Sequence, residues 1–316
     1  PVGSINMNAD NTASKIGSVT LDSVAAYTDA NGTTTNVTAN TLTVKGDVAF
    51  GSTADPIETT VSTLALTTAA TGITNSGVLT VNPSTITGQL DLINTVGNIT
   101  LDAVNAGANA VNLTASNGNI LSKNGTGTDL TGAAISLVAS TAANTIGTGS
   151  NTTTNALRVN ASGTLTVQTA GGLVNVVDTN GGLTLGAVTT SGGGVTITTE
   201  GATTPTLAVN GTINSTSGNV FLTSASTIAG TGLVNSTGTL TTSSVGGTTL
   251  TSANQVGTFK ATNTTSGDVS LTNSATTLTI AGISQAGGGN VVVNNTGALT
   301  TTGAVTTAAN GNIGMT

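Results

Sequence analysis

Three carboxylates offer this chain its nearest approach to chemistry. Asp55, Glu58 and Asp91 fall within one stretch of sequence. A polysaccharide hydrolase or lyase needs acids held close together, or acids beside Arg and Lys, to protonate a leaving group and activate water. Only one Arg is present, and no two carboxylates stand two residues apart on one predicted strand. With no His and no Cys, nucleophilic triads and zinc sites are also out of reach. The expectation is a protein that is not an enzyme, with no catalytic, cofactor-binding or metal-binding residue.

Calcium-binding β-rolls repeat Gly-Gly-x-Gly-x-Asp. The triple glycines at Ser191-Gly-Gly-Gly-Val195 and Ala286-Gly-Gly-Gly-Asn290 lack the Asp and read as tight turns. The Thr-x-Thr units Thr41-Leu-Thr43, Thr164-Leu-Thr166, Thr196-Ile-Thr198 and Thr277-Leu-Thr279 raise an ice-binding reading. That reading needs Thr pairs in register on one flat face, whereas Thr here occurs along the whole chain. Thr as the uncharged, solvent-facing strand former is the favoured account.

The elements that must position these residues follow from a phrase the chain keeps restarting: glycine, often Asn or Asp, then aliphatics alternating with Thr or Ser. It stands at Gly17-Ser-Val-Thr-Leu-Asp, Gly97-Asn-Ile-Thr-Leu-Asp, Gly118-Asn-Ile-Leu-Ser, Gly218-Asn-Val-Phe-Leu-Thr, Gly267-Asp-Val-Ser-Leu-Thr and Gly289-Asn-Val-Val-Val, and opens again at Gly311-Asn-Ile. A turn and a short strand recurring every 20 or so residues predict a β-solenoid. Where the glycine interval reaches about 30, as between Gly17, Gly46 and Gly77, a coil with an inserted loop is expected. Alternation predicts Ile99, Leu101, Val111 and Leu113 inside, with Thr100, Asp102, Asn112 and Thr114 outside.

Composition agrees. Thr supplies 72 of 316 residues and Asn 34, with 43 Gly, 4 Pro and few strong helix formers. Hydrophobic residues make up 36% and mean hydropathy is positive, so the chain has enough apolar side chain to order itself. Only four aromatics, Tyr27, Phe50, Phe221 and Phe259, are available. A narrow core of stacked Val, Ile, Leu and Ala suits that supply. The fold class predicted is all-β: a right-handed parallel β-helix with coils of about 19–30 residues and essentially no helix, continuous over residues 1–316.

The net charge of −7 includes five scattered bases, Lys15, Lys45, Lys123, Arg158 and Lys260, which form no patch for a phosphate backbone. Nucleic acid is not an expected partner. No segment approaches the roughly 20 apolar residues of a membrane-spanning helix. No polar cap is evident at either terminus, so self-association through end coils, on the Pro1 side and the Thr316 side, is expected.

The phrases Gly97-Asn-Ile-Thr-Leu-Asp102, Val111-Asn-Leu-Thr-Ala-Ser-Asn-Gly-Asn-Ile120 and Gly192-Gly-Gly-Val-Thr-Ile197 resemble the degenerate repeats of bacterial filamentous haemagglutinin-like exoproteins and autotransporter passengers. The resemblance implies a secreted, cell-surface β-helix acting as an adhesin, stalk or matrix component, with a host or neighbouring-cell surface as partner. The expected function is an extracellular structural or adhesive rod on the bacterial cell surface, which either continues as part of a larger adhesin or stacks end to end with copies of itself into a filament. The alternatives are an ice-binding Thr array and a surface-layer or matrix subunit.

Overall fold

The computed structural model describes residues 5–7, 16–123, 125–201, 205–308 and 310–316. The residues at the Pro1 end expected to self-associate, with Lys15, lie largely outside this set. Among the described residues there is no helix, and every strand pairing is parallel. Thirty strands join in one hydrogen-bonded sheet that winds through about 14 turns. The chain is a parallel β-solenoid.

Its repeat is read directly from one inward column. Leu79, Ile99, Ile120, Ile146, Val174, Val195, Val220, Leu240, Phe259 and Ile280 stand one above another, 19 to 28 residues apart. All ten are buried. A second column runs Leu183, Leu207, Ile228, Thr248, Val269, Val291 and Ile313. Small aliphatics stacked at strand spacing fill this narrow core, as the shortage of aromatics requires.

Alternation holds where it was expected. Ile99, Leu101, Val111 and Leu113 are buried, and Thr100, Asp102, Asn112 and Thr114 are only half-buried between them. The long glycine intervals near the start do not mark long coils, however. Val19, Leu42, Leu64 and Val81 stack in register, giving repeats of 17 to 23 residues there. Gly46 and Gly77 occupy different corners, so their separation spans parts of two coils. The longest coils on the column are those from Ile120 to Ile146 and from Ile146 to Val174.

The recurring glycine is explained by what lies beneath it. A Cβ on Gly118 would stand 1.9 Å from the carbonyl oxygen of Gly97, and Gly218, Gly289 and Gly311 meet the glycine one coil below at 2.2, 2.1 and 2.3 Å. The requirement at these four positions is clearance between stacked corners, since their backbone angles are not left-handed. The next residue ties the coils together. Asn98 Oδ1 accepts from the Asn119 amide at 2.9 Å, and Asn119 Oδ1 from the Thr145 amide at 2.7 Å. Asp268, Asn290 and Asn312 repeat the arrangement at 2.7 and 3.0 Å.

Amide ladders also run inside. Asn75 and Asn94 are fully buried, and Asn75 Nδ2 donates to Asn94 Oδ1 at 2.9 Å. Asn75 Oδ1 accepts from the Val61 amide and the Thr59 hydroxyl, both at 2.9 Å. The buried Asn273 donates in the same way to the half-buried Asn295, Nδ2 to Oδ1, at 3.0 Å. Substituting Asn75→Leu would orphan the Val61 amide in a dry interior and is expected to destabilise by about 2 kcal/mol. A urea midpoint equal to that of the unaltered protein would contradict this role.

Candidate functional site

The three acids singled out in sequence do not assemble into one site. Asp55 sits in an exposed loop closed by a hydrogen bond from the Asp55 amide to Ser52 Oγ at 3.0 Å. Glu58 and Asp91 both belong to the outer face of one wall, where Glu58 stacks on Thr74 and Thr74 on Ile93, two residues beyond Asp91. Their hydrogen-bond partners differ. Asp91 is tied down by Gln89 Nε2 at 2.8 Å, Asn112 Nδ2 at 2.6 Å and the Thr53 hydroxyl. A carboxylate held by three neutral donors is an acceptor already in use, and among the described residues no second acid is hydrogen-bonded to it.

Glu58 instead faces Asp29, which sequence reasoning passed over. Burial, with Asp29 and Asp55 nearby, pushes the Glu58 carboxyl up. One of its oxygens, Oε2, is buried without a hydrogen-bond partner among the described residues. For Asp29, burial acts upward, but Asn36 Nδ2 at 2.6 Å and the amides of Asn31, Ala30 and Gly32 outweigh it and hold the carboxyl down. The two carboxyls are thus shifted in opposite directions. The signal in sequence was a separation of one coil: Asn36, whose Oδ1 accepts from the Glu58 amide, precedes Glu58 by 22 residues.

A shallow groove of about 280 Å³ lies over this wall, roofed by Ser52, Thr53 and Pro56 and floored by Asp91, Ile93 and Asn112. Its polar groups mostly satisfy one another. Among the described residues, no three His, Cys, Asp or Glu side chains come together in a way that would hold a metal ion.

The Thr-x-Thr units stack in register over parts of the rod. Thr41, Thr43, Thr164, Thr166, Thr277 and Thr279 are at least partly exposed, whereas Thr196 and Thr198, expected to face solvent, are buried, the Thr196 hydroxyl accepting from the Asn151 amide at 3.0 Å. Ser18, Thr41, Thr63, Thr80 and Thr100 form one column. Thr198, Thr223, Ser243, Thr262, Ser284 and Thr306 form another. The file beside the second column reads Thr196, Phe221, Thr241, Lys260 and Gly282, and the ladder bulges between Phe259 and Lys260. Hydroxyls are stacked, but they do not tile a flat two-column plane. The triple glycines both occupy non-strand corners, as read.

Charged groups elsewhere gather around the one Arg. Arg158 Nη2 donates to Glu200 Oε2 at 2.6 Å, and Asp129 accepts from the Arg158 amide at 2.8 Å. Lys123 pairs with Asp102 at 2.8 Å, again one coil away. Among the described residues no helix is long and apolar enough to cross a membrane. No protein family, curated protein or solved structure matches this chain.

Proposed function

We propose that this chain is a non-enzymatic structural or adhesive rod of the bacterial cell surface. The observation that carries the reading is the parallel sheet of thirty strands, accompanied among the described residues by one short parallel ladder between Ile5–Met7 and Tyr27–Asp29 and by no helix. Each coil is fastened to the next by backbone ladders, stacked glycine corners and Asn ladders, so bending or local opening must break several of them together. Repeat arrays of this kind hold a long shape without a globular core. The outer face is dominated by Thr, Ser and Asn, with few charges, which suits an extended surface exposed to the medium.

Its location is the decisive point. Antibody raised against the chain is expected to label intact, unpermeabilised producing cells and to lose that label after protease shaving. Labelling that appears only after permeabilisation would overturn the reading.

A further inference from the structure

The two longest coils place their extra residues side by side. One bulges out through residues 125–129 after Ile120–Ser122, and the other through residues 147–156 before Leu157–Ala161. The loops abut: Asn155 Oδ1 lies 3.8 Å from where a Cβ on Gly125 would stand. Between them opens a polar cavity of about 480 Å³, lined by Gly127, Thr153, Thr154, Asn155, Arg158 and Glu200. That volume lies within the range of about 300–1,000 Å³ typical of small-molecule sites.

Arg158 is fixed at the base of this cavity. Its side chain is only 15% exposed, with Nε donating to the Gly127 carbonyl at 2.8 Å and Nη2 to Glu200 at 2.6 Å. Two of its five N–H groups are thus used. The other three have no partner among the described residues, nor has Glu200 Oε1. A rigid fork of donors beside a carboxylate acceptor is complementary to adjacent hydroxyls, which both accept and donate.

The surroundings decide the ligand's charge. Glu200 neutralises the guanidinium, and Asp129, buried and bonded to the Arg158 amide and the Ser122 hydroxyl, adds a second acid behind it. A phosphate, sulfate or uronate would meet more carboxylate than guanidinium. No aromatic or large aliphatic side chain lines the cavity, which disfavours an apolar ligand. We propose that this cavity binds a neutral saccharide, one ring of which presents adjacent hydroxyls to the Arg158 guanidinium and the Glu200 carboxylate.

The test is calorimetric titration of the full chain with cellohexaose, chitohexaose, maltohexaose and mannohexaose, and with oligogalacturonate as the anionic comparator. At least one neutral hexamer is expected to bind and oligogalacturonate not. Arg158→Lys, which removes the planar fork, is expected to weaken binding at least tenfold. Because Arg158 also braces the loops, the exposed Thr154→Val is the second variant, expected to weaken binding several-fold with an unchanged melting temperature. No binding by any of the four neutral hexamers, preference for oligogalacturonate, or unchanged affinity in both variants would overturn the proposal.

Discussion

Gly118→Ala is expected to destabilise the solenoid by at least about 3 kcal/mol, the upper end of the usual cost of overpacking. The new methyl would stand 1.9 Å from the Gly97 carbonyl oxygen, 2.3 Å from its carbon and 2.7 Å from the Asn98 nitrogen. All three are backbone atoms of the coil below, so no side-chain rotation relieves the contact. Relief requires the two coils to separate at that corner, which also stretches the hydrogen bond from the Asn119 amide to Asn98 Oδ1. Gly17→Ala is the matched control, because a Cβ there meets nothing within 4 Å among the described residues. Its urea midpoint is expected to stay near that of the unaltered protein. Native-state hydrogen exchange should place the loss in Gly118→Ala at the strands of residues 99–122, since coils contact mainly their neighbours. Equal midpoints for the two variants would remove the stacked-corner account of the repeated glycine.

The second large effect is expected at Asp178, which the fold buries completely at the head of an otherwise hydroxyl and amide column: Asp178, Thr199, Ser224, Ser244, Asn263 and Gln285. One carboxylate oxygen accepts weakly from the Ala161 amide at 3.3 Å, and the other has no partner among the described residues. Burial pushes the carboxyl up to about 6, the backbone amides of Ala161 and Asn180 acting against it. The folded pKa thus lies above the unfolded value of about 3.9. The folded state holds the proton more tightly, so stability is greatest below the unfolded value. It falls as pH rises through the window from about 4 to 6, by about 2 to 3 kcal/mol, and is level above it. Asp178→Asn has no such charge to bury. The variant is expected to match the parent near pH 4 and to exceed it by about 2 kcal/mol at pH 8. The parent's own profile also carries the raised Glu58 and Asp129, which slope the same way, and the lowered Asp29, which slopes the opposite way. The difference between variant and parent isolates Asp178. A difference that does not change with pH would contradict the assignment.

Much of the architecture was legible because it is written within one coil. Period-two alternation at Ile99, Leu101, Val111 and Leu113 needs only neighbouring residues to decide which face is buried. The glycine phrase was legible as a corner, but its reason was not, because the atom that excludes a Cβ on Gly118 belongs to Gly97 in another coil. The same limit applies to function. Glu58 meets Asp29 and Asn36, and Arg158 meets Glu200 across 42 residues, through register that glycine spacing alone does not give. Intervals read from Gly17, Gly46 and Gly77 misplaced the long coils, since those glycines serve different corners. The loops that form the Arg158 cavity lie instead in the coils around Ile146.

The central claim is the regular stacking of coils whatever their length in sequence, and spin-label distances along one outer column test it most directly. The chain has no Cys, so pairs of introduced cysteines label cleanly. Thr223→Cys combined in turn with Thr262→Cys, Ser284→Cys and Thr306→Cys spans two, three and four rungs of the column. The distances are expected to rise linearly by about 4.8 Å per rung, reaching about 19 Å between the first and last positions. Distances that fail to increase with rung number would contradict a stacked solenoid.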